Sequence, residues 1–125
     1  MQDDERTLML LLAYVHLQQG TAAKAETLYA ALVTLDSGDA LAAKGLAWAR
    51  LEAGKPKAAL AVLDGIVGPG EPGAVVQLLR ARAFAQLGQV EDAQVAMRAF
   101  GAARAAKSSR APDKRLQRSP QSPGG

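Results

Sequence analysis

The side chains able to do chemistry are few and scattered. The single histidine, His16, has Val15, Leu17 and Gln18 as neighbours. No acid or nucleophile stands beside it to make it a general base, so packing or groove-lining is its expected role. One histidine cannot build a multi-histidine metal site, and the absence of cysteine removes disulfides, thiolate zinc sites and thiol nucleophiles. Asp3, Asp4 and Glu5 form one acidic cluster, Glu91 and Asp92 another. Adjacent carboxylates point apart on a helix and make a poor acid/base pair. Both clusters instead suit helix starts, where the dipole favours negative charge. The run Gly68-Pro69-Gly70-Glu71-Pro72-Gly73 has the G-x-G-x-x-G spacing. A phosphate loop of that kind needs a strand before it and free N–H groups in it. Here a helix is expected before it and two prolines remove N–H groups, so it reads as a rigid linker. No catalytic constellation, metal site or cofactor site emerges, and the chain is not expected to be an enzyme.

The elements that carry these residues are helices. The 125 residues hold 27 alanines and 17 leucines, against 8 valines, one isoleucine and 4 threonines. Sheets want β-branched and aromatic side chains, whereas alanine and leucine are helix formers. The length allows one domain. No asparagine is present, which excludes N-glycosylation. The longest near-apolar run, residues 8–15, is too short to span a bilayer. The acidic start has the wrong sign for a secretory leader, so a cytoplasmic protein is expected.

Charge is unevenly placed. Residues 107–125 carry Lys107, Arg110, Lys114, Arg115 and Arg118 against Asp113, leaving the remainder close to neutral. With three prolines and four serines as well, this stretch reads as a disordered tail. It lacks the aromatics that stacking on nucleic-acid bases needs, so no nucleic-acid partner is expected. A solvated terminus is favoured over contact with phosphate or acidic lipid.

One period organises the rest. Gly20, Gly54 and Gly88 are 34 residues apart. The same spacing relates Ala13, Ala47 and Ala81; Ala25, Ala59 and Ala93; Tyr29, Leu63 and Met97; and Leu32, Ile66 and Phe100. Small residues at a fixed phase let paired helices approach closely, and a turn glycine supplies left-handed backbone between them. Leu8, Leu11, Leu12 and Val15 recur at helical spacing. The pattern predicts helices over about 5–19, 22–35, 39–53, 56–67, 73–87 and 90–106. Asp39 is a plausible N-cap and Pro56 suits a first helical turn.

A 34-residue helix-turn-helix period resembles the tetratricopeptide repeat. The family's usual tryptophan position holds Met9, Ala43 and Gln77, and its usual tyrosine position holds His16, Arg50 and Phe84. The terminal proline is replaced by Ser37, Glu71 and Ala105. The resemblance implies an all-α fold of three repeats, about 6–39, 40–73 and 74–107, in a right-handed solenoid. The repeat domain would span 1–107 and the basic tail 108–125.

In that frame Trp48 is equivalent to Tyr14 and Arg82, a position resembling those that line the family's concave groove. The expected groove residues are Leu10, Tyr14, Leu17, Leu41, Lys44, Trp48, Leu51, Val75, Leu78 and Arg82. The nearly immediate start of the first helix (residues 10–20), Ala25, the apolar second-helix end Ala31-Leu32-Val33-Thr34-Leu35, and three repeats without a long N-terminal extension make the chain look like bacterial type III secretion chaperones of the YscY class. That likeness implies a small secreted partner of the YscX class, held as a helix or extended peptide and delivered to the export gate. The alternatives are needle-subunit or translocator chaperones, and a scaffold or self-associating module. The last helix would expose Val95, Ala99 and Phe100, through which the chain could form a homodimer when no partner is present.

Overall fold

In the computed structural model of the chain, residues 3–66 and 73–110 are described. They form six helices: α1 (Asp3–Gln18), α2 (Ala22–Leu35), α3 (Ala40–Glu52), α4 (Pro56–Asp64), α5 (Ala74–Gln86) and α6 (Val90–Arg110). There is no strand among the described residues. Most of the proposed linker, residues 68–72, and residues 111–125 of the tail lie outside the described residues.

The glycines make the hairpins. Gly20, Gly54 and Gly88 have φ of 80°, 77° and 76°, the left-handed region that costs any other residue strain. Each turn closes with the same bond one residue later. The amides of Thr21, Lys55 and Gln89 donate to the carbonyls of His16, Arg50 and Phe84, at 2.8, 2.8 and 2.9 Å. This is a Schellman closure, which satisfies carbonyls that the ending helix leaves free. The bond falls at equivalent positions because the 34-residue period falls on the turns.

The small residues are where the helices press together. Ala13, Ala25, Ala47 and Ala59 are fully buried, and Ala81 nearly so. Each helix packs on the next in sequence, while α1 also touches α3 and α3 touches α5. The odd-numbered helices therefore stand side by side in one layer. Two core clusters fill the stack. One gathers Ala13, Leu17, Ala25, Tyr29, Leu46 and Ala49; the other gathers Ala47, Leu51, Ala59, Leu63, Val76, Leu79 and Ala83. Half-buried Trp48 and Val62 pack against both.

Several local expectations meet the coordinates directly. The Asp39 carboxylate accepts from the Ala42 amide at 3.1 Å and caps α3, and Pro56 opens α4. Asp3, Asp4 and Glu5 occupy the first turn of α1, Glu91 and Asp92 that of α6. Others need correction. The sequence predicts a fourth helix reaching 67, but α4 ends at Asp64, where the amide of Gly65 turns back to the Val62 carbonyl at 3.1 Å. The predicted end of the last helix at 106 is also short, since α6 continues to Arg110. α6 can run past 106 because no proline interrupts it before Pro112. The stripe of Leu8, Leu11, Leu12 and Val15 is not the buried face of α1. Those side chains are 57%, 57%, 44% and 43% exposed, and Leu10, Ala13 and Leu17 face the core cluster instead.

Candidate functional site

A cavity of about 370 Å³ opens on the layer of odd-numbered helices. Leu10 and Tyr14 of α1, Leu41, Lys44, Gly45 and Trp48 of α3, and Val75 and Leu79 of α5 form its walls, with Tyr29 of α2. The spacing explains the selection. Leu10 and Tyr14 are one helical turn apart, as are Lys44 and Trp48, and Val75 and Leu79. Each helix thus presents one ridge to the same hollow.

Tyr14 and Trp48 meet edge to face, ring centroids 6.4 Å apart and planes at 67°. That arrangement sets the positive ring edge of one aromatic against the negative face of the other. Tyr14 remains 47% exposed and Trp48 half-buried, so both offer ring surface to an incoming group. One part of the Trp48 side chain lines the hollow and another packs against both core clusters.

Six of the ten expected groove residues come together here: Leu10, Tyr14, Leu41, Lys44, Trp48 and Val75. Four do not. Leu17 is 9% exposed and Leu51 2% exposed, and both are core. Each lies three residues beyond Tyr14 or Trp48, a rotation of about 60° that turns it toward the second helix of its hairpin. Leu78 is 43% exposed but off the cavity wall, because α5 presents Val75 and Leu79 there instead. Arg82 is paired with Glu52 across the α3–α5 rim rather than facing the hollow.

Three wall residues escape the sequence pattern: Tyr29, Gly45 and Leu79. Tyr29 holds a second-helix core position, yet its ring lies flat against the backbone of α3 at Gly45. A Cβ added to Gly45 would collide with that ring. The signal available was a glycine inside a helix, which often marks close approach of another group. Tyr29 is only 5% exposed, and burial pushes its hydroxyl pKa up, with the Tyr14 hydroxyl adding to the rise. No hydrogen bond to that hydroxyl is present among the described residues. Lys44 likewise has no ion pair among them; Lys24, Lys57, Arg98 and Arg104 also have none, but of these Lys44 alone lines this cavity.

The remaining candidates are structural. His16 Nδ1 lies 2.9 Å from Thr21 Oγ1, whose hydroxyl donates to the His16 carbonyl at 2.9 Å. The hydroxyl oxygen is thus left to accept from Nδ1–H, and the imidazole clasps the first turn instead of lining the groove. Arg50, at the equivalent position, donates to Glu26 at 3.2 Å and to the Ala58 carbonyl at 3.2 Å. Burial pushes the Glu26 carboxyl up, but hydrogen bonds from Lys55 and Arg50 outweigh it and the net shift is down. Arg6 grips Asp39 through two nitrogens at 2.8 Å each, which holds the Asp39 carboxyl below its ordinary range. Among the described residues no cluster of three histidine or acidic side chains could hold a metal ion. Among them no helix is long and apolar enough to cross a membrane.

No curated protein matches the chain. Residues 16–70 match the family described as Tetratricopeptide repeat. Together with six helices folded as glycine-turned hairpins, that match supports a tetratricopeptide-repeat protein, built on a repeat that serves protein interaction.

Proposed function

We propose that the chain is a non-catalytic, protein-binding chaperone whose groove between α1, α3 and α5 receives an apolar segment of a partner. The observation that carries this reading is the Tyr14–Trp48 pair, which presents aromatic surface beside Leu10, Leu41, Val75 and Leu79. Tryptophan and tyrosine in a concave apolar setting are the side chains most often found to dominate binding energy. Burying one such anchor contributes about 1.5–3 kcal/mol. Four anchors at the upper value, set against the lower end of the association cost, leave about 8 kcal/mol, close to micromolar affinity. The six helices are read as three repeats, about 6–39, 40–73 and 74–107, with α6 running on through Arg110.

The narrower reading rests on resemblance. The chain looks like the YscY class of type III secretion chaperones, a likeness that implies the bacterial cytoplasm near the export apparatus. Its partner is then a small secreted protein of the YscX class, kept from premature assembly and delivered to the export gate. The test is co-expression with such a partner. Trp48→Ala and Tyr14→Ala should each cut co-purification about tenfold while circular dichroism stays helical. Full retention by both variants would move the site elsewhere.

One observation favours a second reading, self-association. Of the three α6 residues expected to be exposed, Val95 is 55% exposed while Ala99 and Phe100 are half-buried; Val90 and Met97 stand out beside Val95 at 62% and 45%. Light scattering separates the two readings. A stable dimer of the chain alone supports self-association, and a monomer that gains a partner on co-expression supports the chaperone.

A further inference from the structure

The otherwise apolar groove carries four polar donors, the Tyr14 hydroxyl, the Trp48 indole N–H, Lys44 and the Tyr29 hydroxyl, of which Lys44 alone is charged and Tyr29 is the most buried. Lys44 is half-buried on its wall and has no carboxylate partner among the described residues. Tyr29 is nine-tenths buried, yet its hydroxyl makes no hydrogen bond there. No sealed side-chain oxygen or nitrogen among the described residues lacks a partner, so the Tyr29 hydroxyl keeps an opening, and Tyr29 is one of the residues that line this groove. An ammonium and a phenolic O–H are both donors to a carboxylate, and a charge-assisted bond to one is about twice as strong as a neutral bond. Arg82, the other cation at the rim, is already neutralised by Glu52.

We propose that the occupant of the groove is an apolar peptide segment carrying one aspartate or glutamate, whose carboxylate pairs with Lys44 and accepts from the Tyr29 hydroxyl. This rests on the groove being the partner-binding site. The apolar side chains of the segment fill the space beside Leu10, Trp48 and Val75, and its acid marks the register. Charge decides against the chain's own terminus as occupant. Residues 111–125 carry Lys114, Arg115 and Arg118 against one acid, Asp113, the wrong sign to meet Lys44.

The experiment pans a random dodecapeptide display library against the full chain, against Trp48→Ala and against Lys44→Glu. Peptides that need Trp48 should be enriched in Asp or Glu next to Leu, Ile or Phe. The Lys44→Glu protein should lose these peptides and select Lys or Arg at the same place. A synthesised binder should weaken about tenfold when its acid is changed to the neutral amide. Tyr29→Phe should reduce that discrimination, because a hydrogen bond to a carboxylate is stronger than one to an amide oxygen. Trp48-dependent peptides without acidic enrichment would overturn the carboxylate proposal and leave the groove reading standing. Peptides indifferent to Trp48 would overturn both.

Discussion

At the scale of single residues, the molecule ties polar side chains to its corners and keeps close packing for its glycine. Asp39 caps α3 through the Ala42 amide and is gripped at the same time by Arg6 of α1. Its folded-state pKa lies below the ordinary carboxylate value, so the stability it contributes is complete above that value. That stability is lost as pH falls through the lowered one. Arg6→Gln removes the main cause of the lowering and should move the acid-unfolding midpoint to higher pH. A pH titration followed by circular dichroism checks this, and an unmoved midpoint would deny the pair its role. At Gly45 the cost of change is steric. Gly45→Ala drives a methyl group into the Tyr29 ring and should destabilise by about 1–3 kcal/mol in urea unfolding. Gly45→Ala in a Tyr29→Leu background should cost distinctly less, because the clashing ring is gone.

At the scale of elements, the 34-residue spacing makes the turns legible and leaves the helix faces ambiguous. Gly20, Gly54 and Gly88 could be placed because a left-handed turn admits few other residues. The inward face of α1 could not, because α1 is apolar on two sides. Leu10, Ala13 and Leu17 follow one helical stripe, Leu8, Leu11, Leu12 and Val15 the other, and only packing against α2 and α3 chooses between them. The choice predicts a contrast. Leu11→Gln should change stability by no more than about 0.5 kcal/mol, as an exposed site does. Leu17→Ala should cost about 2–5 kcal/mol. Equal losses in urea unfolding would mean that the two stripes are exchanged. The groove was partly legible for a related reason. Trp48 and Tyr14 share a phase; counting in helical turns from them reaches Leu10, Lys44 and Leu41, and one repeat beyond Leu41 lies Val75. Tyr29 was not reachable that way, because it crosses from α2 through space that only Gly45 leaves open.

At the scale of the whole molecule, packing is between neighbours, and the middle of the stack is the best covered. Seven residues of α3 are buried, against two in α1. In arrays of this kind stability is close to a sum of units and adjacent interfaces, so the ends open first. Hydrogen exchange read by mass spectrometry should therefore be slowest in α3 and fastest in α1 and in residues 101–110 of α6. Protection in α1 matching that in α3 would show that the chain unfolds as one block.

The hollow draws a ridge from each of three successive odd-numbered helices, and Trp48 belongs both to its wall and to the packing on either side. Whatever settles there acts as a strut laid across three staves. Filling it should raise the melting temperature and stiffen the curvature of the array, while shearing away the first hairpin removes Leu10, Tyr14 and Tyr29 in one stroke and leaves the guest too little to hold.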